Sequence, residues 1–193
     1  MTRRAALFTG LSALALTGCA AQPQVSRLST SESEIAALAD ALRGLSPSVD
    51  TEEARRAARI AQEYPLELRV RYEVTDGPIL HNVKVNNGSK PRGICVHWAD
   101  DIEARLRAEN FRTLELHRMI SPATAFRISH SAPIISARGQ DMYDGIVLDG
   151  WRDGGDLFWA KVRDDTRYNW RPRTEVLREL YEKREARRAA LTD

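Results

Sequence analysis

Cysteine is scarce in this chain: 193 residues carry two, Cys19 and Cys95. A disulfide framework is therefore excluded as the main support, and a chain of this length buries enough surface to need neither disulfide nor metal staples. Histidine is also scarce, with four copies. His97 and Asp101 form an i,i+4 pair on a helix face, but no further ligand completes a metal site. Calcium-loop spacing is missing around Asp153-Gly154-Gly155-Asp156, which reads as a hairpin turn. No metal or other cofactor is expected. The apolar run at 5–16 has twelve residues, too few to cross a bilayer as a helix. Charge of one sign is lacking too, since 29 Lys and Arg stand against 27 Asp and Glu. With 42% hydrophobic and 29% charged residues, the composition is that of a soluble folded domain. No internal repeat is present.

What is present begins at the N-terminus. Arg3 and Arg4 precede the apolar run, which ends in Leu16-Thr17-Gly18-Cys19. This resembles the signal peptide and lipobox of bacterial lipoproteins. The resemblance implies that residues 1–18 are removed and that Cys19 is acylated, anchoring the protein to a membrane. Ala20 after the cysteine resembles the pattern that sorts lipoproteins to the periplasmic face of the outer membrane. Thr2-Arg3-Arg4 shares the arginine pair of twin-arginine signals, which leaves both export routes open. Removal of 1–18 takes away two arginines and no acid, leaving 27 basic against 27 acidic residues. A neutral mature chain has no general electrostatic attraction to nucleic acid, so that partner class is not expected. Cys95 is then the single free thiol, in an oxidising compartment.

Residues 19–30 read as a lipidated polar tether. Residues 31–78 read as the helical N-terminal part of the domain. Ser31-Glu32-Ser33-Glu34 is a capping box ahead of Ile35, Leu38 and Leu42, and Asp50 starts a second helix expected to stop at Tyr64-Pro65. Alternation over 66–74 predicts a strand. Residues 79–87 are ambiguous between a strand and a short helix with Pro78 in its first turn. A helix is expected from Cys95 to about 109, followed by strands within 113–120, 125–137, 145–148 and 157–162. Residues 171–193 hold a charged C-terminal helix, with Val176, Leu177, Leu180 and Tyr181 on one side. The fold class is α+β: N-terminal helices, then a Cys-bearing helix on an antiparallel sheet, then a C-terminal helix.

Cys95 opens its helix on the stripe shared by Trp98, Ala99, Ile102 and Leu106. A helix N-terminus favours negative charge, including that of a thiolate, and Gly93 permits a tight entry. A thiol nucleophile needs a base, and the base needs an orienting partner. His97 points about 200° away around the helix. In Phe126-Arg127-Ile128-Ser129-His130, alternation puts His130 on the face of Phe126 and Ile128, expected to be the inward one. Asp149 ends the next apolar stretch, where it can fix the imidazole tautomer.

The order Cys95, His130, Asp149 resembles the papain-like and transglutaminase-like cysteine enzymes. Gly93-Ile94-Cys95-Val96-His97-Trp98 is similar to the sequence around such nucleophiles. Asp149-Gly150-Trp151 is similar to the Asn-x-Trp segment whose tryptophan shields the His–acid bond. The spacings of 35 and 19 residues suit the transglutaminase-like branch, and the resemblance covers 79–170. It implies Cys95, His130 and Asp149 as catalytic residues, with Trp98 and Trp151 shielding them or lining a substrate cleft. Two features depart from it. None of Asn82, Asn86 and Asn87 stands where a papain-type oxyanion glutamine would, and Pro133 belongs on a sheet edge or at a bulge.

Singly, these residues also have plain structural roles: a small buried thiol, a core histidine, an acid capping a turn. His81 and His117 read as surface or hydrogen-bonded side chains. Trp151, Phe158, Trp159, Tyr168 and Trp170 read as strand packing, with a cleft wall as the alternative. Lys183, Arg184, Arg187 and Arg188 read as a solvated helix face, with contact to anionic envelope polymers as the alternative. The expected function is thiol-dependent hydrolysis or acyl transfer on amide bonds of a peptide or peptidoglycan-like substrate. The alternative is an inactive relative that binds a peptide, glycan or protein in the envelope.

Overall fold

The chain was described from a computed structural model, which covers residues 29–191. Cys19 and the signal segment lie outside those residues. The first helix, α1 (Glu32–Arg43), starts where the Ser31 hydroxyl accepts the Glu34 N–H and the Glu34 carboxylate accepts the Ser31 N–H. Two otherwise unpaired helix-terminal donors are satisfied in this way. α1 buries Ile35, Leu38 and Leu42 against α2 (Thr51–Arg71), which Asp50 caps.

α2 does not stop at Tyr64. It continues through Pro65 to Arg71, so no strand forms over 66–74. A proline inside a helix loses one backbone hydrogen bond and crowds the preceding turn. Burial opposes that cost: Ala61, Pro65, Leu68 and Tyr72 recur at helical spacing and are all buried, while Val70 is 68% exposed. The alternation that read as a strand is one side of this stripe, overlaid on exposed apolar residues. Pro78 occupies the first turn of α3 (Pro78–Asn86), which makes that ambiguous stretch a helix.

α4 (Cys95–Arg107) buries Trp98, Ala99, Ile102 and Leu106, the expected stripe. Five strands follow: β1 (Leu114–Ser121), β2 (His130–Ala137), β3 (Ile146–Asp153), β4 (Asp156–Lys161) and the short β5 (Arg171–Pro172). They form one antiparallel sheet in the order β4-β3-β2-β1-β5. Gly154 and Gly155, both at positive φ, make the β3–β4 hairpin turn. α5 (Arg173–Ala189) closes the described chain. Of its expected apolar side only Val176 is buried, whereas Leu177, Leu180 and Tyr181 are exposed.

The sheet has two apolar faces. Leu114, Leu116, Ile135, Ala137, Ile146 and Leu148 pack with α1, α2 and α4. Met119, Ala132, Ile134 and Val147 pack beneath Val162, Tyr168 and Trp170 on the other face. Period-2 alternation explains how neighbouring residues divide between these clusters.

Two expectations about β2 are corrected. It begins at His130, not near 125: Phe126 is fully exposed and Ile128 is exposed as well, in a turn closed by a Thr124–Arg127 bridge. His130 is buried because it shares strand parity with Ala132 and Ile134, not with an inward face formed by Phe126 and Ile128. Pro133 lies in an interior strand rather than on an edge. It sits opposite Arg118 of β1, and on the other side the β2–β3 ladder contains only the Ile134–Val147 and Ile135–Ile146 pairs. Proline has no N–H to donate, and the ladder ends beside it.

At Gly150 the sheet meets the helices closely. A Cβ there would lie 2.9 Å from Ile102 Cδ1, 3.1 Å from Pro65 Cβ and 3.1 Å from Trp98 Cε3. Gly150→Ala is therefore expected to lower stability by about 1–3 kcal/mol through overpacking. Gly77→Ala, which meets nothing within 4 Å, should change it by less than about 1 kcal/mol. Urea denaturation of the two variants checks this, and equal losses would contradict it.

Candidate active site

The entry to α4 is held from several directions. Gly93 has φ 121°, a conformation that disfavours side chains. Its carbonyl accepts the Trp98 indole N–H at 2.8 Å, and its own N–H donates to His97 Nδ1 at 3.2 Å. Burial, and then the charge of Arg92, lower the His97 pKa. This favours the neutral ring, the state in which Nδ1 can accept a hydrogen bond. His81 is buried and donates from Nε2 to the Arg92 carbonyl at 2.8 Å. A Cβ on Gly93 would come within 2.4 Å of that same Nε2, so glycine is required here for space as well as for φ.

Cys95 is the first residue of α4, half-buried and unpaired. The N-cap residue, Ile94, supplies no side-chain cap. In the first turn the His97 N–H already donates to the Ile94 carbonyl at 2.9 Å, so the N–H groups of Cys95 and Val96 are those with no intrahelical acceptor. Its sulfur lies 3.8 Å from the Ser129 carbonyl, next to His130 in sequence. Arg118 of β1 keeps this end of α4 on the sheet. It donates to Ser131 Oγ at 2.8 Å, to Asp100 and Glu103 at 3.0 Å each, and to the Val96 carbonyl at 3.3 Å.

His130 and Asp149 meet at 2.6 Å through Nε2 and Oδ2, both side chains buried. His130 Nδ1 is buried and has no hydrogen-bond partner. Burial pushes the imidazole pKa down, but the hydrogen bond to Asp149 and then the approach of Cys95 outweigh it, raising the pKa to about 9. For Asp149, burial pushes the carboxyl pKa up; His130 and then Arg152 overcome this and hold it below its ordinary value. Around the imidazole stand Tyr168, Trp151 and Trp170, with ring centroids at 4.5, 4.9 and 5.6 Å. They exclude water from the His130–Asp149 bond, which strengthens it.

The structure thus brings Cys95, His130, Asp149 and Trp151 together. Trp98 is placed elsewhere: it packs edge-on against Tyr72 in the helix-side core at 2% exposure, with its indole committed to Gly93. It supports the cysteine loop from behind and does not line a cleft. His117 donates to or accepts from Ser136 Oγ at 2.8 Å. No cluster of His, Cys, Asp and Glu able to hold a metal occurs among the described residues.

Two residues of the site, Arg152 and Asp165, carry no signal in the sequence, and Asn82, weighed there only as an oxyanion donor, has a different place. Arg152 donates to Asp149 and forms a two-pronged pair with Asp165, and Asn82 Oδ1 accepts the Trp151 indole N–H at 3.0 Å. Neither spacing nor periodicity marks them, because Asn82 is 69 residues from its partner and Asp165 lies in an irregular loop. Tyr168 and Trp170 were read chiefly as core, and they are, but the core they build encloses His130.

Comparison with known proteins finds no matching family model, curated protein or solved structure.

The His130 pKa implies a pH dependence of folding. Raised from 6.5 to about 9, it contributes stability that is complete below pH 6.5 and lost as pH rises through 9. Between pH 6 and pH 10 the protein is expected to lose about 2–3 kcal/mol more than His130→Gln loses. Urea denaturation at the two pH values measures this, and equal losses would contradict the raised affinity.

Proposed function

We propose that this chain is a lipid-anchored envelope protein whose domain is a papain-like or transglutaminase-like thiol enzyme acting on amide bonds. The buried His130–Asp149 pair, with Cys95 at a helix N-terminus and its sulfur 3.8 Å from the Ser129 carbonyl next to His130 in sequence, carries this reading. The three residues have the types and the order that the chemistry requires. The α+β arrangement, with a cysteine-bearing helix against an antiparallel sheet, supports it further.

In the proposed reaction the Cys95 thiolate attacks an amide carbonyl carbon. The backbone N–H of Cys95, at the open end of α4, faces the developing oxyanion. The C–N bond breaks as His130 gives its proton to the leaving nitrogen, and a thioester remains on Cys95. Water or an amine then attacks the thioester, His130 accepts the proton, and the thiolate leaves. Asp149 orients the ring throughout and stabilises its protonated form. The envelope address implied by Leu16-Thr17-Gly18-Cys19 favours a peptide or a peptidoglycan cross-bridge as substrate.

At pH 7, Cys95 is expected to react with iodoacetamide on the order of ten times faster in the native protein than in His130→Ala. Mass spectrometry of the alkylated peptide measures both rates, and equal rates would sink the triad. The anchor is tested separately. In Gram-negative cells expressing the full chain, replacing Cys19 by Ser should move the protein out of the membrane fraction, and retention there would overturn the anchor.

A further inference from the structure

We propose that Arg152, pinned by Asp165, is a positioning residue for the triad: it fixes the Asp149 carboxylate and shares that charge with His130. The inference rests on the triad reading above. Asp149 Oδ2 accepts from both His130 Nε2 at 2.6 Å and Arg152 Nε at 3.1 Å. Oδ1 accepts the backbone N–H groups of Trp151 and Arg152 at 3.0 and 3.1 Å. The other end of the guanidinium grips Asp165, Nη1 to Oδ1 at 3.2 Å and Nη2 to Oδ2 at 2.7 Å. The Trp170 indole donates to Asp165 at 3.0 Å, and the Arg152 guanidinium carbon lies 3.6 Å above the Phe158 ring centroid. His130, Asp149, Arg152 and Asp165 are all at least nine-tenths buried.

This geometry makes Asp149 an acid with two competing cationic partners. With His130 protonated, the four charges of the cluster sum to zero; with His130 neutral, one negative charge remains in a buried site. Removal of Arg152 leaves that site more negative and should strengthen proton binding to His130. Removal of the Asp165 charge leaves Arg152 more positive toward Asp149 and should weaken it. The other groups around the imidazole are the Cys95 thiol from α4 and Tyr168 from the loop after β4. The guanidiniums of Arg127 and Arg167 lie 5.5 and 5.8 Å from the Tyr168 centroid, and Asp153 sits further along β3. Of these, Tyr168 also meets Arg152, whose guanidinium carbon lies 4.9 Å from its ring centroid, so Arg152→Lys, which keeps a cation there, is the control for that contact.

The experiment is an NMR titration of the His130 imidazole in the folded domain, with the signal assigned by its loss in His130→Gln. Arg152→Gln should raise its midpoint by about one pH unit and Asp165→Asn should lower it by about one, tenfold in proton affinity each way. Arg152→Lys, which keeps the charge, should stay near the wild-type midpoint. A purely structural ion pair would move Arg152→Gln and Asp165→Asn in the same direction or not at all, and either result overturns the proposal. If Arg152→Gln does not fold, Asp165→Asn against Arg152→Lys carries the same contrast: a lowered midpoint against an unchanged one. Opposite shifts combined with Cys95 alkylation that ignores His130→Ala would support charge sharing while overturning the triad. Alkylation that depends on His130, without opposite shifts, would overturn charge sharing alone.

Discussion

Asp149 is a carboxylate inside the protein, and most of what surrounds it answers the need to satisfy that charge. An ionised acid removed from water is costly unless its lone pairs are filled by donors held in place. Here two backbone N–H groups, an imidazole and a guanidinium supply four hydrogen bonds. The backbone donors exist because the chain turns irregularly after Asp149, where the β3–β4 register shifts. The guanidinium is available because Asp165 and Phe158 hold it. Loss of any one donor would leave a buried charge partly exposed to nothing, so the site is rigid by energetic necessity.

Rigidity on that side is matched by close approach on the other. Gly150 follows Asp149 directly and faces the helices, where Ile102, Pro65 and Trp98 leave no room for a side chain. Gly93 similarly admits His81 against the loop that delivers Cys95. The two glycines let the helix layer and the sheet come together close to Cys95 and His130. Pro65 belongs to the same contact, buried in α2 and facing Gly150 from the helix side.

Much of this arrangement was legible in the residues. The caps at Ser31 and Asp50, the α4 stripe and the Gly154-Gly155 hairpin are local, each decided by side chains within a few positions. Cys95 was readable as the first residue of a periodic helix and Asp149 as the acid after an apolar run, whereas His130 was placed inward by an alternation with Phe126 and Ile128 that the strand does not include. The strand expected over 66–74 was wrong for a physical reason. Alternation and helical spacing overlap in a short apolar stretch, and only the partner surface decides between them. Phe126 and Ile128 misled in the same way, since a run of β-forming residues does not show where pairing begins.

The sequence by itself determined the α+β class, the helix that Cys95 opens and the chemical types of the three site residues, because composition, caps and periodicity act over a single turn or strand. Only the tertiary structure decided that Trp98 supports the loop while Trp151, Tyr168 and Trp170 enclose His130. It alone joined Arg152 to Asp165 and Asn82 to Trp151. Those pairings depend on which surfaces pack and on how buried charge finds its partners, and such long-range constraints leave no period in the chain.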